Sequence, residues 1–240
     1  MKNSTWSVHA KNLPEHARNP IHTDEGGRAA GFNAALVAGV TVYAYLTNPV
    51  VTQWGVDWLR KGSSFVEFKS PILANELVEC VSSLGKDTLE VNANVNGETR
   101  ARCHVSMNNS NSSISSFSLC ESLEPENIHL VNQWEDYGSR AGDDHKIYSE
   151  LGIIHPSIWP SLANHVVEQK VAKGAWIHTR SKIFHYSLVE VGSIVTVEPK
   201  IINRFETLRG SRATLDVSIS IAGKKVINVE HEAIISLKQN

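Results

Sequence analysis

The spacing of apolar residues in the N-terminal half predicts one buried helix followed by a set of strands. Residues 33–46 are apolar on nearly all sides of a helix, and such a helix must be surrounded by protein. Apolar and polar residues then alternate by twos, which is typical of strands, in the segments 64–70, 76–83, 88–95 and 98–107. The Asn96-Gly97 pair between the last two segments is a strong hairpin signal.

The C-terminal half repeats this order of elements. A helix is predicted over residues 156–171, with Pro156 at its start and Pro160 near its first turn. Strand-like segments follow at 176–187, 193–205, 213–221 and 225–237. A helix followed by about four antiparallel strands, used twice, predicts an α+β fold in which each sheet wraps its own helix. The order argues against an alternating βαβ fold, and the sequence contains neither a GxGxxG motif nor a P-loop.

A Ser- and Asn-rich stretch near the middle of the chain separates the two copies. Residues 107–118 are nearly uncharged and cannot bury much apolar surface, so they are predicted to form a linker or a long surface loop. The predicted organisation is an N-terminal domain over residues 1–106, a linker over 107–127 and a C-terminal domain over 128–240.

Composition and charge narrow the classes of function. With 41% hydrophobic and 20% charged residues, the chain of 240 residues is typical of a soluble globular protein. Its net charge of −2 gives no basic field for nucleic acid or an anionic membrane. The longest apolar stretch, residues 34–46, is too short to span a bilayer, and the N-terminus lacks the apolar core of a signal peptide. Three widely spaced cysteines suit a reducing compartment, so a cytoplasmic protein without a metal or other cofactor is expected.

The most specific motif lies in the loop before the first predicted helix. An Asn-Pro-Ile-His sequence is followed by an acid, a Gly-Phe pair and a further glycine, at Asn19, Pro20, Ile21, His22, Asp24, Gly31, Phe32 and Gly39. In this order the residues resemble the signature loop of the MaoC-like, (R)-specific enoyl-CoA hydratase family in its double-hotdog form. The resemblance covers most of the chain outside the linker. It implies a tandem (double) hotdog, in which two antiparallel sheets each wrap around a central helix.

The resemblance also implies a reaction and a substrate class. Members of the family hydrate 2-enoyl thioesters or dehydrate 3-hydroxyacyl thioesters, carried on CoA or on an acyl carrier protein. A paired Asp and His hold the water, and backbone N–H groups at the start of the hotdog helix bind the thioester oxygen. A helix N-terminus suits the second task because its first amides are unpaired and carry partial positive charge. A double hotdog already contains a dimer-like interface, so a monomer or a homodimer is expected.

Departures from the family loop divide its catalytic pair between the two halves. The family's catalytic Asp stands two residues before the Asn, and in the N-terminal half that position is Ala17. The C-terminal copy retains the acid as Asp143, but it has His145 at the Asn position, Lys146 at the Pro and Tyr148 at the His. One copy therefore retains the histidine and the other retains the acid.

His22 is the catalytic candidate of the N-terminal half. It stands at the family's catalytic position, and an imidazole titrates near neutral pH. Without an acid at position 17, its water partner would have to be Glu15, Asp24 or a residue of the other half. The alternative is that His22 only packs the loop, in a half that has become structural.

Asp143 and His145 are the catalytic candidates of the C-terminal half. Two residues apart on a loop, they could share a water molecule, with Tyr148 as a hydrogen-bond donor. The alternative is an ordinary polar turn, because Asp side chains readily bond nearby backbone amides. In many double-hotdog relatives one half keeps the chemistry and the other keeps the acyl tunnel open. On that division, the loop around Asp143 and His145 is the favoured location of the reaction.

Further residues are predicted to bind the substrate at the two loops and helix starts: Asn19, Gly39, Tyr148, His155 and Ser157. For His155 the alternative is an ordinary loop histidine before the second helix. The remaining strand-like segments contain histidines without metal-ligand spacing, which are predicted to pack in the core or on the surface: His178, His185 and His231.

The sequence leaves three functions open. The leading one is a hydratase or dehydratase of acyl thioesters, with acyl-CoA or an acyl carrier protein as the partner. The second is a hotdog thioesterase, which would activate water towards the thioester carbonyl. The third is a non-catalytic protein that binds acyl thioesters, because neither half retains the complete pair of Asp and His.

Overall fold

A single antiparallel sheet and a few helices make up the fold. A computed structural model of the chain describes residues 3–109, 121–131, 134 and 136–237. Within these ranges, all strands belong to one 11-stranded sheet. The predicted α+β architecture is confirmed.

The N-terminal half supplies five strands and a long helix. The strands are β1 (Asn3–His9), β2 (Ser63–Phe68), β3 (Leu77–Leu84), β4 (Thr88–Val95) and β5 (Glu98–Ser106). The helices are α1 (Asp24–Ala29) and α2 (Gly39–Lys61), preceded by 3₁₀ turns at Pro14–Arg18 and Pro20–His22. Helix α2 packs on β3, β4, β5 and β8, which surround it as its apolar sequence requires.

The C-terminal half supplies the remaining strands and helices. The strands are β6 (Glu121–Ser122), β7 (Glu126–His129), β8 (Ile177–His185), β9 (Ile194–Thr207), β10 (Gly210–Ile221) and β11 (Lys224–Leu237). The helices are α3 (Tyr137–Ala141), α4 (Ile147–Leu151) and α5 (Ile158–Val166), and α5 continues as a π-helical turn over Val167–Val171. Helix α5 packs on β8, β9 and β11.

The two halves join through a pair of central strands. The strand order is β1-β3-β4-β5-β2-β8-β11-β10-β9-β6, with β7 also paired to β9. At the junction β2 runs antiparallel to β8, with Ser63 opposite Phe184 and Glu67 opposite Arg180. The two predicted sheets are therefore continuous, and the β8 and β11 strands of one half face the loop and helix start of the other.

Helix α2 does not have the predicted bounds of residues 33–46. It begins at Gly39 and continues to Lys61, through Pro49 and a kink at Gly55, where φ is 56°. The segment before Gly39 is extended because its backbone N–H groups bond to other parts of the chain. The Val37 N–H, for example, donates to the Ile72 carbonyl at 2.8 Å. Apolar composition alone could not separate an apolar extended segment from an apolar helix.

Three strands were not predicted from the sequence. Strand β1 pairs with β3, and only its Trp6 and Val8 side chains are partly buried, so the strand carries little apolar alternation. Strand β7 pairs with β9 in the same peripheral manner. The short strand β6 falls within the predicted linker 107–127, of which residues 110–120 lie outside the described residues. The domain boundaries stay a prediction.

The described helices were also compared with the dimensions of a bilayer. None of them combines the length and apolarity that a membrane span requires.

Candidate active site

A cavity of about 1120 Å³ lies where the N-terminal loop faces the C-terminal strands. The N-terminal half contributes His22, Leu36, Gly39 and Phe68 to its wall, and the C-terminal half contributes Trp176 and His178, among others. The cavity therefore depends on the β2–β8 junction, which brings the two halves together. Two of the predicted site residues line it, His22 and Gly39, together with other residues of the same motif: Pro20, Ile21, Gly31 and Phe32.

The Asn-Pro-Ile-His motif forms a tight turn that presents His22 to the cavity. The Asn19 side chain accepts a hydrogen bond from the Ile21 N–H, which caps the 3₁₀ turn. The His22 Nδ1 atom lies 2.8 Å from the Leu36 carbonyl oxygen. A carbonyl only accepts, so Nδ1 carries the proton and Nε2 keeps a lone pair. Nε2 has no hydrogen-bond partner within the described ranges.

Burial keeps the His22 imidazole neutral. It lowers the pKa of His22 below the ordinary 6.5, and the hydrogen bond to the Leu36 carbonyl opposes this only in part. A neutral imidazole with a free lone pair is a general base. His22 therefore has the protonation state that proton abstraction from water requires.

The start of helix α2 supplies unpaired backbone donors beside His22. The N–H groups of Thr41 and Val42 both donate to the Ala38 carbonyl, at 2.9 and 3.1 Å. Those of Gly39 and Val40 have no acceptor among the described residues, as the first amides of a helix have none within it. Gly39 lines the large cavity. The positive end of the helix dipole thus points at the site.

A second cavity of about 150 Å³ adjoins the first. Three residues line both cavities: His22, Asn164 and Trp176. The Asn164 Oδ1 and Trp176 Nε1 atoms are buried and have no hydrogen-bond partner in the described structure. Buried polar atoms without partners are uncommon in folded proteins, and they often mark a site for water or a ligand. Here one acceptor and one donor are left free beside the His22 base.

The surroundings of His22 contain a second histidine near the position of the missing acid. The His16 and His22 ring centroids are 5.8 Å apart, and His16 Nε2 lies 3.0 Å from the Tyr137 hydroxyl. Burial lowers the pKa of His16 to about 4, helped by His22 and Arg140 and opposed by Glu15. His16 is therefore neutral at pH 7 and cannot supply the negative charge that an acid would bring to this position.

The two acids suggested as replacements are engaged elsewhere. Glu15 lines the small cavity but forms an ion pair with Arg140 at 2.5 Å. Asp24 accepts a hydrogen bond from the Ala35 N–H at 3.0 Å and lines neither cavity in the described structure. Each carboxylate thus has one oxygen engaged by another residue, and only Glu15 shares a cavity with His22 in the described structure.

Asn19, predicted to bind substrate, joins the two halves. Its Nδ2 donates to the Trp176 carbonyl at 2.8 Å, while its Oδ1 accepts from the Trp176 N–H at 3.4 Å. Asn19 thereby fixes the backbone of Trp176, whose indole lines both cavities.

The C-terminal candidates form a separate buried network. The Asp143 Oδ2 atom lies 3.0 Å from His155 Nε2, and His155 Nδ1 lies 2.7 Å from the Ser157 hydroxyl. Asp143 Oδ1 accepts from the Asn48 side chain at 2.8 Å and from the His145 N–H at 3.0 Å. In the described structure, none of the predicted residues of this half lines either cavity: Asp143, His145, Tyr148, His155 and Ser157.

This network is closed to ligands. The Asp143 carboxyl has a lowered pKa: burial raises it, but the hydrogen bond and charge of His155, with the donors from His145 and Asn48, lower it by more. The spacing of Ser157, His155 and Asp143 resembles that of a Ser–His–Asp relay. However, their exposed fractions are 0%, 1% and 4%, and the Ser157 N–H also donates to His155 Nδ1 at 3.2 Å. Such an arrangement stabilises the loop.

His145 and Tyr148 are also placed by packing. His145 Nε2 lies 3.0 Å from the Asn48 carbonyl oxygen and 3.1 Å from the Thr52 hydroxyl, so its ring docks on α2. The Tyr148 ring lies 4.4 Å from that of His155. The Tyr148 hydroxyl is buried without a partner in the described ranges.

Sequence reasoning missed three residues of the cavity wall: Asn164, Trp176 and His178. Asn164 was part of the predicted second helix and His178 was assigned to packing. No local motif marks these residues. Their position depends on the junction of the halves, which a one-dimensional pattern does not encode.

Comparison with known proteins agrees with this architecture. No protein-family model matches the sequence, and no curated protein is significantly similar to it. Among solved structures, a MaoC-like dehydratase matches with a TM-score of 0.67 and 13% identity, over 97% of this chain and 98% of its own. A conserved hypothetical protein from Mycobacterium tuberculosis, described as a double hotdog, has a TM-score of 0.64 and 10% identity, over 98% and 96%.

Neighbours of both reaction classes occur among the matches. The dehydratase domain of PpsC from Mycobacterium tuberculosis, in complex with C12:1-CoA, has a TM-score of 0.61 and 9% identity, over 98% of this chain and 94% of that one. Thioesterases match as well. At these identities the likeness concerns the fold, and it confirms that this chain folds as a double hotdog.

Proposed function

We propose that the protein is an enzyme of acyl thioesters, whose reaction takes place at His22 in the N-terminal half. One observation carries this proposal: His22, whose Nε2 has no partner among the described residues, and Gly39, whose amide has none either, line the same cavity. A base and a charge-stabilising donor are what addition of water to a conjugated thioester requires. Both line a cavity that is large enough to hold an acyl chain.

The favoured reaction is reversible hydration of a 2-enoyl thioester. A water donating to His22 Nε2 and Asn164 Oδ1, and accepting from Trp176 Nε1, would have three partners, within the usual range for a buried water. Its proton passes to Nε2 while its oxygen bonds the β-carbon. The alkene electron pair moves towards the thioester oxygen, which the Gly39 amide stabilises. The protonated His22 then returns the proton to the α-carbon.

A CoA or carrier-protein thioester fits the charge at the cavity wall. Lys69, Lys173 and Arg209 line the cavity and make no ion pair in the described part of the chain. Phosphate groups of a CoA or a phosphopantetheine arm are natural partners for such cations. The PpsC dehydratase domain, with the same fold, was solved with C12:1-CoA, which supports this class of ligand.

Turnover of 2-enoyl-CoA thioesters of several chain lengths tests the proposal. We expect the conjugated enoyl-thioester absorbance to disappear and a 3-hydroxyacyl-CoA product to form, with no free thiol. A saturated acyl-CoA of equal length serves as the control and should remain intact. If neither class of thioester is bound or converted, the proposed function is wrong.

Thioester hydrolysis is the second candidate. It is supported by the thioesterases that share this fold. In that reaction the water activated by His22 attacks the carbonyl carbon, and the thiol leaves. Release of free thiol from the saturated control distinguishes this reaction from hydration. Binding of both thioesters without conversion supports the third, non-catalytic function.

A further inference from the structure

A buried imidazole faces the start of helix α2 from the opposite half. His178, on β8, lines the cavity with 6% of its surface exposed, and its Nδ1 atom has no hydrogen-bond partner in the described structure. A Cβ atom at Gly39 would lie 3.0 Å from this Nδ1 and 3.2 Å from the Phe68 ring. Nδ1 is therefore aimed at the unpaired amide end of α2. The helix start and an unpartnered buried side chain are two independent marks of a ligand site.

His178 is the outer end of a hydrogen-bonded chain. Its Nε2 lies 2.8 Å from the Ser181 hydroxyl, which lies 2.9 Å from His231 Nδ1. The His178 and His231 rings stack with centroids 4.2 Å apart. His231 is completely buried, and its Nε2 has no partner among the described residues. This hydrogen-bonded chain thus ends at two nitrogen atoms without partners: Nδ1 of His178, a residue of the cavity wall, and Nε2 of His231, in the core.

The direction of donation along these hydrogen bonds depends on which of the two end nitrogens carries a proton. If Ser181 donates to His231, the unsatisfied N–H is on His231 Nε2, deep in the core. If Ser181 donates to His178 Nε2, the unsatisfied N–H is on His178 Nδ1, which is also buried but belongs to a residue of the cavity wall and lies next to Gly39. Buried N–H groups without acceptors are rarer than under-satisfied acceptors. The second arrangement is therefore favoured, and it makes Nδ1 a donor.

Both imidazoles of the chain are neutral. Burial lowers the pKa of His178 well below its usual value, His231 lowers it further, and the nearby backbone of Arg180 only partly opposes this. Burial alone lowers the pKa of His231 to about 3. A neutral imidazole can donate a hydrogen bond to an oxygen without transferring its proton, as a polarising group does.

We propose that His178 Nδ1–H is a second donor to the thioester oxygen, opposite the Gly39 amide, and that Ser181 and His231 hold it in the donor tautomer. The inference rests on the proposed function, because it assigns a residue to the same cavity. It divides the oxyanion site between the halves: the backbone donor comes from α2 and the side-chain donor from β8. His178 is a catalytic residue in this assignment, while Ser181 and His231 are positioning residues.

Replacing His178 by phenylalanine tests the assignment and keeps an aromatic ring against Phe68 and His231. Removing one oxyanion donor typically lowers kcat by about 10²-fold, and we expect that loss here with little change in KM. His185→Phe is the matched control, since His185 is a second fully buried histidine of β8 and lines neither cavity in the described structure. It should leave the kcat of folded protein unchanged.

Two spectroscopic readouts separate a catalytic from a packing role. Cinnamoyl-CoA, a chromophoric enoyl thioester, should absorb at longer wavelength when bound to the wild type, because donors polarise its carbonyl. His178→Phe should lose most of that shift, and Ser181→Ala should lose part of it. Nitrogen-15 NMR of the unliganded wild type should show the His178 proton on Nδ1, whether or not the variants fold.

The outcomes keep this inference apart from the proposed function. A proton on Nε2 of His178, or a His178→Phe enzyme with undiminished kcat and carbonyl shift, overturns the role of His178 and leaves the reaction at His22 standing. A wild type that binds no thioester overturns the proposed function, and the oxyanion role with it.

Discussion

The two loops that lead into the central helices have the same plan and opposite environments. In the N-terminal loop, His22 and the start of α2 border a cavity of about 1120 Å³ and carry unsatisfied polar groups. In the C-terminal loop, Asp143 and His155 have exposed fractions of 4% and 1%, and their polar atoms are all hydrogen-bonded. The N-terminal loop has unpaired polar groups on a cavity wall, whereas the C-terminal loop has one unpaired group, the Tyr148 hydroxyl, and lines neither cavity in the described structure.

This difference in hydrogen bonding and burial is a better guide to the location of a reaction than the residue types in the two loops. The sequence predicted Asp143 as the catalytic acid, yet its carboxylate is hydrogen-bonded by Asn48 of the opposite helix and by His155. A fully satisfied buried network fixes a fold, whereas unpaired groups beside a cavity can bind and polarise a substrate. On these grounds we favour the N-terminal half, which contains His22, as the location of the reaction.

The largest effect is expected when the histidine of the N-terminal loop is replaced by asparagine, with the same replacement in the C-terminal loop as the control. His22→Asn removes the proposed base and should lower turnover of 2-enoyl-CoA by about 10²–10⁴-fold, the usual contribution of general base catalysis. His145→Asn is the matched control in the other loop and should change turnover by less than about threefold, because surface-side contacts to α2 alone are lost. Steady-state kinetics with circular dichroism of both variants measures this.

The reverse result would move the reaction to the C-terminal loop. If His145→Asn, in folded protein, abolished turnover while His22→Asn did not, the pair Asp143 and His145 would be the catalytic one, as the sequence favoured. Equal losses in both variants would contradict a division of labour between the halves.

The general fold could be predicted because it depends on patterns that recur along the chain. A buried helix before alternating strands, once near Gly39 and again near Ile158, gives the double-hotdog order. The helix bounds and strand β1 could not be predicted. The segment before Gly39 is held extended by partners distant in sequence, and β1 buries too little to alternate.

The candidate site was predictable only in its local part. His22 and Gly39 belong to one motif, so a linear reading finds them. Asn164, Trp176 and His178 come from the other half, and only the β2–β8 junction places them opposite His22. Hydrogen-bond saturation, which separates Asp143 from His22, is likewise a property of the assembled core.

The second effect concerns stability in the C-terminal loop. Asp143→Ala leaves His155, Asn48 and the His145 amide without their acceptor, and breaking a buried pair in this way costs about 3–5 kcal/mol. Asp143→Asn keeps one carbonyl oxygen and should cost less. Urea unfolding measures both, and folded protein of either variant should retain full kcat. A stable Asp143→Ala protein would contradict the structural role.

The pH dependence of this stability has a defined sign. The folded-state pKa of Asp143 is lowered from an ordinary 3.8, so below about pH 4 the unfolded chain takes up the proton first. The contribution of the carboxylate is therefore complete above that pH and is lost as the pH falls through the folded-state pKa. The difference in unfolding free energy between wild type and Asp143→Asn should shrink on acidification from pH 5 to pH 3, while the buried histidines that do not contact Asp143, such as His178, His185 and His231, affect both proteins equally.

The smallest effects are expected from substitutions at the two helix starts, which are also the most closely matched positions of the two loops. Gly39→Ala places a Cβ 3.0 Å from His178 Nδ1, which must move by a few tenths of an ångström, so we expect about a tenfold loss of kcat. The free energy of unfolding should change little, because alanine favours the helix as much as the contact opposes it.

Ser157→Ala at the start of α5 should behave in the opposite way. It removes the hydroxyl that lies 2.7 Å from His155 Nδ1, so stability should fall by about 1 kcal/mol, and kcat should not change. Kinetics and urea unfolding are measured on both Gly39→Ala and Ser157→Ala. The contrast between the loops holds only if Gly39→Ala lowers kcat without lowering stability and Ser157→Ala lowers stability without lowering kcat. A kinetic defect in Ser157→Ala would mean that the closed network communicates with the cavity, since Ser157 itself has no exposed surface through which to touch a substrate.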